Sequence, residues 1–515
     1  MIRIINTLQV ASASLVAAAT PSAEGVIRAP EIDYVAIAPE AILVLGALAI
    51  LLKKGFVPRR YRMMASVATG ILAICASLIA TGILWQRLAD GAAGTAVSGI
   101  LAVDGFAVFS KVLFLGIAAF AILLGVPGLR RERIMREEYP ALVVLAAAGM
   151  MLMAASSDLI LTFLALELFS LAFYVLAAFA RDLPRPQESA LKYFLLGAFA
   201  SAFFLYGVAL AYGTAGSTNL TSIADFLGRG SIPWIFVASM ALILVGLGFK
   251  VGAVPFHMWV PDVYQGAPSQ VVGFLASGAK AAGVVALLRI YVSAFHAARP
   301  SWLPVIAGLS IATMAVGVVV ALVQSDIKRL LGYSSIAHAG YLLIGVAAAT
   351  PAATSASLFY LVSYAAMIFG AFAIVSVVSG KGDGFTRIDD FAGLARRRPM
   401  LAAAFTVFLL GLAGIPPTAG FIAKFVLFQA AVESGLWWLV LCGAVASVIA
   451  AYFYLRVIIV MFVREPEGED LDSDEPDPIT SLGMGLAIGI TLVLGIIPQA
   501  LMSVLAGADL VMPGL

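Results

Sequence analysis

Along most of the chain, apolar residues run continuously for about 20 positions at a time, broken by short polar punctuation. About fourteen such runs are long enough to cross a bilayer, at roughly 32–52, 63–85, 105–128, 139–156, 158–180, 188–213, 233–262, 269–295, 301–323, 326–349, 352–380, 399–432, 437–463 and 480–503. They lack the period-2 alternation of a membrane barrel, and backbone polar groups inside lipid must be satisfied within each crossing, so the runs predict helices. The expected fold is an all-α polytopic membrane protein.

Composition agrees. Of 515 residues, 62% are hydrophobic and 12% are Asp, Glu, Lys or Arg, against about 25% charged in an ordinary soluble domain. This excludes a soluble enzyme, a disordered chain and a disulfide scaffold. The net charge of +2 implies no nucleic-acid partner. The two cysteines, Cys75 and Cys442, both sit in apolar runs and are too few for an iron–sulfur cluster or a zinc site. No dinucleotide fingerprint and no P-loop occur. Any redox or nucleotide chemistry is expected in another chain, so no cofactor and no metal is expected in this one.

Basic loop residues set the expected direction. Lys53, Lys54, Arg59, Arg60 and Arg62 follow span 1, and Arg130, Arg131, Arg133 and Arg136 follow span 3. Arg181 and Arg185 follow span 5, Lys328 and Arg329 follow span 9, and Lys381, Arg387 and Arg396 to Arg398 follow span 11. Loops after even spans are poor in Lys and Arg, so odd exits are expected on the cytoplasmic side and both termini outside. The acidic loop from Glu465 to Asp477 falls on the cytoplasmic side as a solvated tether. Residues 1–31 form an N-terminal extension on the outer side, read as an ordered surface segment in preference to a weak signal peptide.

Ionisable residues within apolar runs are costly, at least ~2.5–3.5 kcal/mol on insertion scales, so each asks for a reason. Glu167 lies in LTFLALELFSLAF, as a structural ion-pair partner or as a carboxylate that tunes a lysine. Lys250 lies in LILVGLGFKVGAVPFHMWVPD, a run too long for one straight helix and interrupted by Gly248, Gly252, Pro255 and Pro261. A broken helix exposes carbonyls and leaves room for water, so this lysine either exchanges protons or caps the break. LLGLAGIPPTAGFIAKFVLF repeats the pattern, with Gly414, Pro416, Pro417 and Gly420 before Lys424. The two broken spans lie five apart, so a five-helix repeat must be inverted in its second copy. The expected division is 32–138 for spans 1–3, 139–297 and 298–463 for the two inverted repeats, and 464–515 for the acidic loop and span 14. Lys250 and Lys424 are staggered across the membrane, as an inlet and an outlet should be. Lys280, in SGAKAAG, is the mid-membrane link between the halves. Lys192, a few residues from the cytoplasmic side of span 6, is either a relay member or a snorkelling side chain. His338, in SSIAHAGYLL, is a relay or packing residue, with Tyr333, Ser334, Ser335 and Tyr341 placed to hold waters. His257 and Asp262 are expected to organise their loop. Lys111, Arg289 and Arg456, near span ends, are read as snorkelling or lipid-facing.

The motifs LALELFSLAFYVL, FKVGAVPFHMWVPDVYQGAP, SGAKAAG, SDIKRLLGYSSIAHAGYLL and GIPPTAGFIAKF together resemble the antiporter-like, proton-translocating membrane subunits of respiratory complex I and of multisubunit cation/proton antiporters. The resemblance covers roughly residues 35–505. Within that family, DVYQGAP and the lysine at 424 resemble the subunit N branch of NADH-quinone oxidoreductase. The resemblance implies proton pumping in a bacterial inner membrane beside adjacent antiporter-like subunits, with NADH, FMN, iron–sulfur clusters and quinone handled elsewhere in the assembly. It implies that Glu167 pairs with Lys250 or Lys192, that Lys280 bridges two half-channels, and that Lys424 releases the proton with His338 assisting. A subunit of a sodium/proton antiporter and a non-conducting scaffold are the alternatives.

Overall fold

The structure is a computed structural model that describes residues 32–91, 93–465, 475–508 and 510. The N-terminal extension and most of the acidic loop lie outside the described residues. Among these, helix dominates, and the helices follow the apolar runs. In chain order they are α1 (Tyr34–Leu52), α2 (Arg62–Ala89), α3 (Gly105–Arg131), α4 (Tyr139–Ala155), α5 (Leu159–Ala177), α6 (Pro184–Ala215) and the short α7 (Leu220–Gly228). There follow α8 (Trp234–Val251), α9 (Trp259–Gly266), α10 (Ser269–Leu287), α11 (Arg299–Leu322), α12 (Ile327–Ala348) and α13 (Pro351–Val378). A single turn at Leu394–Arg397 precedes α14 (Pro399–Ala413), α15 (Ala419–Glu433), α16 (Trp437–Val463), α17 (Pro478–Ile496) and α18 (Gln499–Leu505). Among the described residues, twelve helical segments are long and apolar enough to cross a membrane, and the apolar α4 and α14 are shorter.

Polar residues at the run boundaries explain where helices start. Asp33, Asp104, Asp158, Asp326 and Asp477 each accept backbone N–H groups of the first turn that follows, and Asn219 and Thr350 do the same for α7 and α13. These caps satisfy donors that have no partner within the helix. α10, α12 and α13 form the interior: every residue of the most apolar window of α10 is buried, and 94% of those in α12 and α13. α1 and α17 are two-thirds uncovered, with only 33% of the window buried. Small residues permit the closest contacts, as in membrane helix pairs generally. A Cβ on Gly317 of α11 would lie 2.5 Å from the Ala337 nitrogen of α12.

The two Gly/Pro-rich runs are broken, as expected. α8 ends at Val251, turns at Gly252 (φ 77°), and restarts as α9. α14 ends at Ala413, turns at Gly414 (φ 84°), and restarts as α15. Glycine tolerates this left-handed backbone without a steric cost. A two-stranded hairpin, Gly94–Ala96 paired with Leu101–Val103, and the helix α7 are elements that the apolar pattern did not announce.

The expectations for Lys111 and Arg289 are corrected, and that for Arg456 is not. Lys111 is buried in an ion pair with Glu40 of α1 at 2.9 Å rather than reaching for the surface. Arg289 is buried too: its guanidinium holds both carboxylate oxygens of Asp104 and the carbonyl of Ala154. Arg456 donates to the carbonyls of Leu322 and Gln324 at 3.1 and 3.3 Å. For Lys111 and Arg289 a carboxylate distant in sequence takes the charge, which periodicity does not report.

Candidate functional site

Lys250 occupies the last turn of α8 and is 2% exposed. Its Nζ lies 3.4 Å from the Tyr174 hydroxyl and 5.2–5.5 Å from the ring centres of Phe169, Tyr174, Tyr193 and Phe249. The ammonium thus sits in an aromatic cage, where ring faces supply cation–π attraction but no full counter-charge. It does not cap its own helix. The Phe249 carbonyl accepts from Trp259 Nε1 at 2.9 Å, and the Val251 carbonyl accepts from Lys280 at 3.1 Å.

Glu167 accepts a short hydrogen bond from the Ser201 hydroxyl of α6. It forms no ion pair within 4 Å with Lys250 or Lys192, so the pairing expected from the resemblance is absent from this arrangement. Lys192 is half exposed and bridges Glu188 at 2.9 Å and Asp262 at 3.2 Å. Asp262 also receives Arg329 at 2.9 Å, so it ties α9 to α6 and α12. Lys192 therefore stands apart from the buried groups.

Lys280 is buried in the interior helix α10. Its Nζ holds the Val251 carbonyl and, through a short contact, the Ser335 carbonyl of α12. It also lies 5.7 Å from the ring centre of Tyr364, whose hydroxyl donates to Ser335 Oγ at 2.9 Å. His338 sits one turn beyond Ser335 on α12. Its ring centre is 5.0 Å from that of Tyr364 and 5.8 Å from that of Tyr341. Its Nδ1 lies 2.7 Å from the Tyr360 hydroxyl and its Nε2 lies 3.4 Å from the Tyr454 hydroxyl. Lys424 is buried in α15, where its Nζ donates to the Ala413 and Leu412 carbonyls at 2.8 and 3.4 Å and stands 4.8 Å from the ring centre of Tyr341.

These contacts join into one row: Lys250, then Lys280 through the Val251 carbonyl at the break, then Tyr364, His338, Tyr341 and Lys424. The lysines and the histidine were visible in the sequence as charges within apolar runs. Tyr341, which joins His338 to Lys424, was also named there, whereas Tyr364 and the flanking Tyr174, Tyr360 and Tyr454 were not, because aromatic residues in apolar helices carry no signal of their own. Ser334, expected beside His338, reaches it through the Tyr454 hydroxyl, while the direct hydrogen-bond partners of the imidazole, Tyr360 and Tyr454, come from α13 and α16. Among the described residues no three His, Cys, Asp or Glu side chains draw together as a metal site.

A family profile described as NADH:quinone oxidoreductase/Mrp antiporter, TM, matches residues 156–450. The chain is 44% identical over 469 residues to NADH-quinone oxidoreductase subunit N 1 of Solibacter usitatus, covering 90% of this chain and 95% of that protein. It is 40% identical over 522 residues to NADH-quinone oxidoreductase subunit N of Mycobacterium tuberculosis, covering 93% and 98%. Among solved structures, a chain of respiratory complex I from Thermus thermophilus superposes with a TM-score of 0.76 at 35% identity, covering 91% of this chain and all of that one. A chain of the Mrp complex from Dietzia superposes at 0.79 with 22% identity, a likeness of fold alone. The chain therefore belongs to the antiporter-like membrane subunits of the NADH:quinone oxidoreductase/Mrp family.

Proposed function

We propose that this chain is a proton-translocating subunit of the membrane arm of an NADH-quinone oxidoreductase, and that its buried row carries protons while partner subunits carry out electron transfer. The observation that carries this reading is the row itself. Three buried lysines and a histidine are joined across two helix breaks, and among the described residues none of these lysines is locked to a carboxylate within 4 Å. A structural charge is normally paired, whereas an ammonium held by carbonyls and ring faces can give up its proton without abandoning an anion. Relatives of 40–44% identity that carry the subunit N name favour this reading over a sodium/proton antiporter subunit.

In this reading α4–α10 and α11–α16 act as inverted repeats, with the basic loops and the α8–α9 side facing the cytoplasm and both termini outside. Lys250 loads from that side, Lys280 bridges the halves, and Lys424 releases outward. Glu167 acts on Lys250 by approaching it: a carboxylate brought to 4 Å changes an ammonium's energy by up to ~4 kcal/mol at an effective dielectric near 20. Its present bond to Ser201 is the disengaged position. Lys192, bridged to Asp262, fastens the cytoplasmic end of the broken helix rather than passing protons.

The test is proton uptake into inverted vesicles by complexes carrying Lys250→Ala, with assembly followed on native gels. An assembled complex that pumps poorly is expected. Normal pumping by an assembled Lys250→Ala complex would overturn the role, and failure to assemble would favour a structural lysine instead.

A further inference from the structure

A second group of ionisable side chains lies away from the lysine row, where α3, α10, α12 and the loop after α13 meet. Asp383 is fully engaged there: it accepts the Ser269 backbone N–H at 3.1 Å, the Ser269 hydroxyl at 2.9 Å and the wholly buried Lys328 ammonium at 2.5 Å. Lys328 also donates to the Ala267 carbonyl at 2.7 Å. Glu132, at the end of α3, has far less. Its carboxylate accepts one hydrogen bond, from Gln270 Nε2 at 2.8 Å. Two acids thus share one buried ammonium, and Asp383 has taken it.

Gln270 is the second observation. Its side chain is buried, its Nε2 also contacts Ser376 Oγ, and its Oε1 has no hydrogen-bond partner among the described residues. An amide that turned over would present that oxygen to a protonated Glu132, so the same residue serves both forms of the carboxyl: N–H to the anion, C=O to the acid. Space for it is made at Gly128, where a Cβ would lie 2.4 Å from Gln270 Nε2. A cavity of about 150 Å³, lined by Glu132, Asp383, Arg185 and Gln265, leads from the surface to Glu132. On the inner side of Gln270 a void of about 10 Å³ between Arg131, Gly273 and Ser376 has room for roughly one water molecule.

We propose that Glu132 is a proton-collecting site, which takes a proton from solvent in the cavity and passes it inward past Gln270 along α10, the helix that carries Lys280. An O–H bond forms on the Glu132 carboxylate as a hydronium ion becomes water. It breaks when the proton moves to a water in the inner void. Burial, reinforced by the Asp383 carboxylate, pushes the Glu132 carboxyl up to about 7, while Gln270, Lys328 and Arg131 pull it down. Loading and unloading therefore both occur near neutrality. This proposal rests on the proton-translocating reading above.

The test compares Glu132→Gln, Glu132→Asp and Lys280→Ala complexes with the parent in inverted vesicles, over a pH range centred on 7, together with pH-difference infrared spectra of the carboxyl groups. A glutamine keeps the contact with Gln270 and cannot release a proton. We expect Glu132→Gln to assemble, to pump about tenfold more slowly, with the largest deficit above pH 7, and to lose a carboxylic C=O band that titrates near 7. Glu132→Asp should recover part of the rate. Equal pumping by Glu132→Gln and parent at every pH, or persistence of that band in Glu132→Gln, would overturn the proposal. If Lys280→Ala also pumps normally, the translocating role of the row falls with it. If only Lys280→Ala is impaired, the row stands and Glu132 is excluded.

Discussion

At the scale of single residues, a charge without an anion is the recurring theme. Lys280 and Lys424 spend their hydrogens on backbone carbonyls, and Lys250 on ring faces and one phenol. Lys280→Met would leave the Val251 carbonyl, at the buried end of α8, without its side-chain donor, at a cost of about 1–3 kcal/mol. We expect that complex to lose pumping and to melt at a lower temperature, whereas Lys280→Arg should keep its melting temperature and still fail to pump, because a guanidinium does not release its proton in the working range. Arg289→Ala should be worse for folding than either, since the Asp104 carboxylate would remain buried without its guanidinium, at about 3–5 kcal/mol. Membrane levels of the chain would report this. The lysines and His338 were legible in the sequence because an ionisable residue amid leucines stands out. Glu40, Asp104 and Glu132 were not singled out, because they lie near the ends of apolar runs, where a charge looks ordinary. The aromatic cage of Lys250 was invisible for another reason: its rings come from α5, α6 and α8, and only tertiary packing brings them together.

Among elements, the helix breaks carry most of the consequence. Both were legible from Gly and Pro within over-long apolar runs, and both turn at a glycine with positive φ. How tightly the pieces close was not legible. A Cβ on Gly420 would lie 1.8 Å from the Gly411 carbonyl oxygen across the second break, so Gly420→Ala should prevent α14 and α15 from seating and sharply lower assembly on native gels. Gly82→Ala in α2, with nothing within 4 Å, is the matched control and should assemble normally. Gly414→Ala combines a left-handed backbone with a Cβ only 2.9 Å from the Lys424 side chain. It should displace that lysine and depress pumping more than stability. The hairpin and α7 escaped the sequence because three-residue strands and a nine-residue amphipathic turn are too short to show a period.

For the whole molecule, pH is the most accessible variable. The Glu132 carboxyl rises from an ordinary 4.5 to about 7 in the folded chain. Between those values the folded state holds a proton that the unfolded chain has released, so stability falls as pH rises through the interval and the loss is complete above 7. The melting temperature of the parent complex should therefore carry a downward component over that interval that is missing in Glu132→Gln. Orientation is checked at the same scale. Cysteines placed in the 53–62 and 129–138 loops should react only with reagents on the cytoplasmic side, and labelling from outside would exchange inlet and outlet.

The carbonyl grip of Lys280 has a mechanical consequence. Its single nitrogen clasps the end of α8 on one side and the middle of α12 on the other. An ammonium offers three hydrogens for that clasp, and a neutral amine two and a lone pair that repels carbonyl oxygen. Each departure of a proton thus slackens a tie between two helices, and each arrival tightens it. The row is in this sense a set of latches as well as a wire, and a latch can be sprung from either end: by a proton, or by a neighbouring subunit that pulls on the helices.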